Sequence, residues 1–401
     1  MRALALLLLI PGAALADGAF PSAHQILLQQ SQPQGLRFGA TLGLVFADGS
    51  GSNSRYVCEP YITGGPNVVL YAQTAGGALL ALSSALGRST DQGCSWSAIA
   101  PPAGAAWTDV FADARDPARV LGVASSASRT GVWLSADGGQ TFPRQLLDTA
   151  ETLESVESAA TDPTVVYAST GSNGGPTPAL FHTTDGGVSW ARTALALATP
   201  VAVRIVAVSP KDPRTLWLRA SYLSGAGDEL LVSTDGGATL SSLLKSPQHQ
   251  LTGFALGGDG TVFLSDGSPG VMVMAPGASA FTRLAGPHLL CLAVAGSSLL
   301  GCADGLQDPY DVGQSDDGGR TWRPLLSLAN LLGPATCSQV QSACAADWQF
   351  QQTLFAAANR NLAGSCGCRA AAPGGWLAAA VLLAARAARR RRTRASTAAR
   401  P

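Results

Sequence analysis

The sequence predicts an all-β fold, a single seven-bladed β-propeller of four-stranded blades followed by a short C-terminal transmembrane helix. Two observations carry this prediction. A Ser-x-Asp-x-Gly-x-Thr-Trp octapeptide recurs along the chain, and short alternating segments of strand length lie between its copies. Repeats of about 40 to 50 residues with four strands each are typical of propeller blades, whose small sheets bury their faces against their neighbours.

Five copies of the octapeptide are nearly intact. Their central aspartates lie 46, 48, 50 and 82 residues apart and are Asp91, Asp137, Asp185, Asp235 and Asp317. The last interval is nearly two periods long, and a degenerate copy from Met274 to Phe281 divides it, with Pro276 in the place of Asp. A second degenerate copy at Asp48 brings the predicted number of blades to seven.

A second turn signal precedes the octapeptides and is seen at Asp116-Pro117, Asp162-Pro163, Asp212-Pro213 and Asp259-Gly260. Two turn signals in each period predict a four-stranded meander. The octapeptide suits the turn between the third and fourth strands, because Asp accepts hydrogen bonds from nearby amides and Gly permits a positive φ. We therefore interpret the aspartates as structural rather than as a calcium or sugar site.

These octapeptides resemble the Asp-box, or BNR repeat, of sialidases, sortilin-type receptors, xyloglucanases and photosystem assembly factors. The resemblance covers roughly residues 19–328 and implies the propeller fold. It implies no single activity, because these families share the turn and differ in function. The Arg-Ile-Pro motif of sialidases is absent, and xyloglucanases use two facing propellers where this chain is expected to form one.

The function that these observations favour is a non-catalytic binding or adhesion module for a glycan or a protein. A surface glycoside hydrolase is the alternative, since two carboxylates across a cleft suffice for that reaction. The candidate carboxylates are Asp109, Glu151, Glu154 and Glu157, although three glutamates spaced by three are typical of a solvated loop face. A second alternative is an assembly or scaffold factor for envelope proteins, as in the photosystem relatives.

Alignment of the innermost strands on the second turn signal predicts one ring position in each blade. These positions are His24, Asn67, Thr108, Glu154, Arg204, Leu251 and His288. Six of the seven are polar, and Asp109 and Ser155 lie beside them in sequence. We hypothesise that this inner-strand ring is a ligand-binding surface; the alternative is a solvated channel rim.

Sorting signals are predicted at both ends of the chain. Residues 1–16 combine Arg2, an apolar run and the small-residue site Ala14-Leu15-Ala16, a pattern typical of a secretory signal peptide. Near the other end, Cys366-Gly367-Cys368, an apolar run over 370–385 and an arginine cluster resemble the MYXO-CTERM tail of myxobacterial surface proteins. The expected segments are therefore 1–16 (signal), 17–336 (propeller), 337–365 (cysteine-containing) and 366–401 (tail).

The tail resemblance implies insertion in the membrane and cleavage near its cysteines by a dedicated processing protease. The protein would then be displayed at the outer surface or in the envelope, or released after cleavage. A plain membrane anchor is the alternative, with the arginines retained on the cytoplasmic side.

The segment between the two sorting signals is acidic, with 26 acidic and 17 basic residues. This balance argues against nucleic acid as a partner, because phosphate binding needs clustered Lys and Arg. No cofactor or metal is expected, since no C-x2-C pair with matching histidines occurs. In an exported chain the cysteines predict disulfides. Their spacing suggests the pairs Cys58–Cys94, Cys291–Cys302 and Cys337–Cys344.

Overall fold

The computed structural model describes residues 21–28, 35–48, 51–64, 70–172, 176–199, 201–246 and 250–363. The signal segment 1–16, Asn67 and the tail 366–401 with Cys366, Gly367, Cys368 and the predicted membrane segment lie outside the described residues. Within the described part, no helix is both long and apolar enough to cross a membrane. The chain divides into two compact units at residues 355 and 356, and of the second only the end of one helix is described.

Five separate four-stranded antiparallel sheets are formed by consecutive strands. The first contains β1 (Ala23–Leu27), β2 (Gly35–Ala40), β3 (Gly43–Asp48) and β4 (Arg55–Cys58). The second contains β5 (Leu70–Gln73), β6 (Leu79–Leu82), β7 (Leu86–Ser89) and β8 (Ser97–Ile99). The third contains β9 (Ala106–Ala112), β10 (Val120–Ser125), β11 (Thr130–Ser135) and β12 (Arg144–Thr149).

The fourth contains β13 (Leu153–Ser158), β14 (Val166–Thr170), β15 (Ala179–Thr183) and β16 (Ala191–Ala194). The fifth contains β17 (Val201–Val208), β18 (Leu216–Tyr222), β19 (Gly227–Ser233) and β20 (Ser241–Ser246). These five sheets confirm an all-β propeller in which each blade is a meander.

The remaining strands form one seven-stranded sheet, so the prediction of seven separate blades is wrong. Its strands are β21 (Gly253–Leu256), β22 (Val262–Ser265), β23 (Pro269–Met274), β24 (Thr282–Ala295), β25 (Ser298–Ala303), β26 (Val312–Ser315) and β27 (Arg323–Leu326). The first half of β24 pairs with β23 and its second half with β25. The repeat period predicts a connecting loop at this point, but the strand continues without one.

Few helices accompany the sheets. They are α1 (Glu59–Thr63), a 3-10 turn (Leu328–Asn330), α2 (Ser338–Ala343) and α3 (Ala345–Ala363). The apolar core lies between neighbouring sheets, as between the fourth and fifth, where Tyr167, Leu180 and Leu216 are fully buried. Full burial of one such side chain contributes about 1.5–3 kcal/mol.

Four of the five intact octapeptides form the turn between the third and fourth strands of a four-stranded sheet, which confirms the predicted position, and the Asp317 copy forms the turn between β26 and β27, the last two strands of the seven-stranded sheet. At Asp317, Oδ1 accepts hydrogen bonds from the Ser315 hydroxyl at 2.8 Å and the Thr321 amide at 2.9 Å. Oδ2 accepts the Thr321 hydroxyl at 2.6 Å. The Thr321 hydroxyl and then its amide lower the pKa of Asp317 to about 2. The same carboxylate bonds recur in the other four copies.

The second glycine of the octapeptide also contributes to packing between sheets. Gly237 has φ +90°, and a Cβ there would overlap the side chain of Leu180 on the preceding sheet. Gly319 has φ +92°, and a Cβ there would overlap Val271, which lies on β23 of the same seven-stranded sheet. Glycine is therefore required both by the turn conformation and by the close approach of these side chains.

The degenerate copies are turns that lack part of this bonding. The Pro276 copy connects β23 to β24, and its backbone turn is made by the Ala278 amide, which donates to the Ala275 carbonyl at 3.0 Å. At the Asp48 copy, one carboxylate oxygen still accepts the Ser52 amide at 3.1 Å.

The chain after the last strand returns to the first sheet. Leu332 donates its amide to the Ser54 carbonyl at 2.9 Å, and Ala335 donates to the Tyr56 carbonyl at 2.8 Å. Tyr56 and Pro334 form a parallel bridge, so this segment covers the outer edge of β4. On the inner side, β1 packs against β24 and β25. Among the described strands, none is exchanged between the first and last sheets to close the propeller.

Two disulfides hold this closure, and they differ from two of the predicted pairs. Cys58 is bonded to Cys344 across 286 residues, and Cys94 to Cys337 across 243 residues. The predictions Cys58–Cys94 and Cys337–Cys344 are therefore wrong. Local spacing misled them because the C-terminal segment lies beside the first two sheets. The hairpin pair Cys291–Cys302 is confirmed.

We predict that the Cys94→Ser/Cys337→Ser double variant loses about 2–5 kcal/mol of the free energy of unfolding, because with Cys58–Cys344 intact this disulfide still closes a circuit through residues 58–94 and 337–344. The matched control is Cys291→Ser/Cys302→Ser, which opens a loop of 11 residues and should cost less. Urea unfolding of both variants under non-reducing conditions measures the difference. Equal losses, or a larger loss in the control, would contradict the closing role of the long-range disulfide.

Candidate functional site: the central channel

The inner strands of the sheets surround a channel of about 1050 Å³. Most of its wall is apolar and includes Leu27, Leu70, Val110, Val156 and Ile205. The charged groups lie on one side, on three successive inner strands, and are Asp109, Glu157 and Arg204. A large concave site with a few convergent polar groups is typical of a ligand-binding site.

Asp109 links the third and fourth sheets at the channel wall. Its Oδ2 accepts the Val156 amide at 2.9 Å, and its Oδ1 lies 3.7 Å from Nη1 of Arg204. Burial is the largest influence on the carboxyl group and raises its pKa to about 6, against the opposing effect of the Arg204 charge. Asp109 is therefore mostly ionised at neutral pH.

Glu157 lies on β13 and contacts the same channel. Burial, followed by the charge of Asp109, raises its pKa to about 8, although the carboxyl group accepts a hydrogen bond from the Val208 amide. At neutral pH this side chain is therefore mainly protonated. Two carboxyl groups in one channel thus differ in protonation state because their surroundings differ.

Side chains that join one inner strand to the next recur around the channel. Ser155 on β13 accepts the amide of Ile205 on β17 at 2.8 Å. Gln25 makes two bonds with the backbone of Tyr71, at 2.6 and 2.9 Å. The open edges of the inner strands thus obtain hydrogen-bond partners from a neighbouring sheet, as buried backbone groups require.

Three residues of the predicted inner-strand ring are bulge residues. His24, Thr108 and Glu154 are each the extra residue that the pairing of β1, β9 and β13 leaves without a partner. A bulge re-aims the side chains around it. Among the described residues of the ring, only Arg204 lines the large channel, together with the neighbouring Asp109.

The other ring residues lie elsewhere. Nδ1 of His288 is 3.4 Å from Oδ2 of Asp308, whose carboxylate also accepts the His288 amide at 2.8 Å. Leu251 is buried in the core between sheets. The binding role of the ring as a whole stays a prediction.

Sequence reasoning placed Glu157 on a solvated loop face, and the structure corrects this. Glu154 and Glu157 both lie in β13, whereas Glu151 precedes it and forms a bidentate pair with Arg192 at 2.6 and 2.9 Å. Only Glu157 of the three lines the channel. Glu157 and Ser155 are two residues apart, and in a strand this spacing places both side chains on the same face. This was the signal available in the sequence.

Arg219 is a further residue that sequence reasoning missed. It pairs directly with Arg204 across the β17–β18 hairpin and lines a smaller cavity of about 240 Å³ that Arg204 also borders. The Asp212-Pro213 turn signal could have found it, since folding the chain there brings the two arginines opposite each other. Over the described ranges, no group of three or more His, Cys, Asp or Glu side chains is placed to hold a metal ion.

No protein-family model matches the chain, and no curated protein matches its sequence. Among solved structures, a puromycin-hydrolysing peptidase of Mycobacterium tuberculosis is similar with a TM-score of 0.55 and 14% identity, over 77% of this chain and 53% of that one. The extracellular domain of a hybrid two-component system of B. thetaiotaomicron gives 0.50 and 10% identity, over 75% and 39%.

The GH74 xyloglucanase of Xanthomonas campestris gives a TM-score of 0.48 and 18% identity, over 66% of this chain and 46% of that one. The chain thus spans about half, or less, of the length of these relatives. At these identities the likeness shows the fold alone. The protein is a β-propeller.

We predict that Glu157→Gln stabilises the protein at pH 8, by on the order of 1–3 kcal/mol. The pKa of Glu157 is raised from 4.5 to about 8 in the folded state. The unfolded chain therefore releases this proton first, and stability falls as the pH rises from about 4.5 to about 8. Gln keeps an acceptor for the Val208 amide and does not ionise, so the two proteins should differ little at pH 4.5.

Thermal unfolding between pH 4.5 and pH 8 measures this effect. Glu154→Gln is the matched control, because it lies on the same strand outside the channel lining. A Glu157→Gln variant that is less stable than the parent at pH 8 would show that the ionised carboxylate stabilises the fold.

Proposed function

We propose that this protein is an exported β-propeller that binds a glycan or protein ligand at its central channel without turning it over. The observation that carries the proposal is that both channel carboxyl groups already accept hydrogen bonds from backbone amides. Asp109 holds the Val156 amide and Glu157 the Val208 amide, so both join neighbouring blades. Glycoside hydrolysis needs two carboxyl groups free to act on the sugar. Arg204 is left as the half-exposed charged group of the channel wall.

Glycoside hydrolysis remains the second candidate, and one observation favours it. Asp109 and Glu157 face the same channel with pKa values of about 6 and about 8. A carboxyl group that stays protonated at neutral pH beside an ionised one is the arrangement that general acid catalysis uses. A scaffold role is the third candidate, in which the bound partner would be an envelope protein under assembly.

We predict that the purified protein binds glycans on an array, or a protein ligand, and that it releases no reducing sugar. Arg204→Ala should weaken binding at least tenfold, whereas Arg129→Ala, on an exposed arginine paired with Asp148, should not. If the parent protein releases sugar and Glu157→Gln abolishes that release, the protein is a glycoside hydrolase instead. Capture of envelope proteins alone would favour the scaffold role.

The three disulfides indicate an exported or extracellular protein, since such bonds persist in oxidising compartments. We infer that residues 1–16 direct export and that the Cys366-Gly367-Cys368 element with its apolar run and arginines directs processing and surface display. Mass spectrometry of the surface-exposed protein should find a C terminus near these cysteines. Retention of the arginine cluster would favour a plain anchor.

We also infer that the seven-stranded sheet consists of two blades that share β24, which would restore the count of seven. In support, β21 to β23 with the first half of β24 form one meander, and its second half with β25 to β27 forms another. Each meander has its third-to-fourth-strand turn, at the Pro276 and Asp317 copies of the Asp-box repeat.

A further inference from the structure

We propose that Arg204 and Arg219 form an oxyanion-binding site at the wall of the channel, which takes a carboxylate, sulfate or phosphate group. This inference deepens the proposed function and takes its biological meaning from it, because Arg204 borders both the channel and the smaller cavity. It names the chemistry that a ligand would present to this part of the wall.

The first observation is the register of the hairpin. Arg204 on β17 and Arg219 on β18 are direct partners across the antiparallel pair, so both side chains lie on the same face. Like charges directly opposite each other destabilise a sheet. An anion between them would turn this repulsion into attraction.

The second observation concerns the nearby carboxylates. Oδ1 of Asp109 lies 3.7 Å from Nη1 of Arg204, and Oδ2 of Asp228 lies 3.9 Å from Nε of Arg219. Both distances exceed that of a hydrogen bond. Asp109 and Asp228 already accept the amides of Val156 and Leu251, which join successive sheets. The two carboxylates therefore offset the positive charge of the arginines but accept no hydrogen bond from the guanidinium groups.

The third observation is the number of donors left over. Across the described residues, the Arg204 side chain donates no hydrogen bond, and Nε of Arg219 is buried beside Asp228 and does not face the cavity. One Arg219 donor is used, at 2.8 Å to the Leu251 carbonyl. The Ser221 side chain borders the same cavity. Guanidinium groups present paired donors that match the oxygens of carboxylate, sulfate and phosphate.

The size of the cavity limits what enters it. About 240 Å³ accommodates one oxyanion group but not a whole oligosaccharide or peptide. The rest of the ligand would extend into the channel of about 1050 Å³ past Arg204. The ligand would therefore present one anionic group to the cavity, and small anions serve as probes of that group.

Isothermal titration of the full-length protein with sodium sulfate, sodium phosphate and sodium galacturonate tests the site, with galactose as the neutral probe. We expect saturable binding of at least one anion and none of galactose. Arg219→Ala and Arg204→Gln should each weaken anion binding at least tenfold, and Arg129→Ala should leave it unchanged. The order of affinity distinguishes sulfate or phosphate esters from a carboxylate sugar.

Arg219 also contacts the Leu251 carbonyl, so its removal could unfold the blade. Arg204→Gln covers this case, because that side chain donates no hydrogen bond to the described residues. Anion binding that neither variant weakens, or no anion binding at all, would overturn the inference. Inorganic anions need no glycan or protein partner, so failure of this test and failure of the proposed function are separate results.

Discussion

A propeller is stable only when its last sheet is held to its first, and here covalent bonds meet that requirement. The first sheet consists of the consecutive strands β1 to β4, and no strand in the described part of the chain is exchanged to close the propeller. The segment after β27 instead covers the edge of β4 and is fixed by Cys58–Cys344 and Cys94–Cys337. Every interface between sheets, and the channel within, depends on this closure.

The channel itself follows from how the inner strands obtain hydrogen-bond partners. A strand at the centre of a propeller has an open edge, and its buried amides need acceptors. Asp109, Ser155 and Gln25 supply them from the neighbouring sheet. Polar side chains near the axis are therefore needed for the fold whether or not a ligand binds. Only groups whose hydrogen-bond donors are unused, such as Arg204, indicate that a ligand binds.

Much of the fold could be predicted from the sequence because the octapeptide acts locally. Its Asp, Gly and hydroxyl residues satisfy one another within eight positions, so the turn can be found without the rest of the chain. The Cys291–Cys302 pair is local in the same sense. The long-range disulfides, the continuous β24 and the bulges at His24, Thr108 and Glu154 depend on how distant segments meet. A shift of one residue in an inner strand changes which side chain faces the channel, so Glu157 lines it and the predicted Glu154 does not.

The closing disulfides also determine how the protein responds to mechanical load. Tension on the chain beyond Cys344 passes through covalent sulfur bridges into the first two sheets. The last sheet is bypassed, so its strands are not peeled away one hydrogen bond at a time. A propeller tethered through its C terminus would therefore resist shear as a closed body, and reduction of the bridges would convert the same pull into stepwise unravelling from β27.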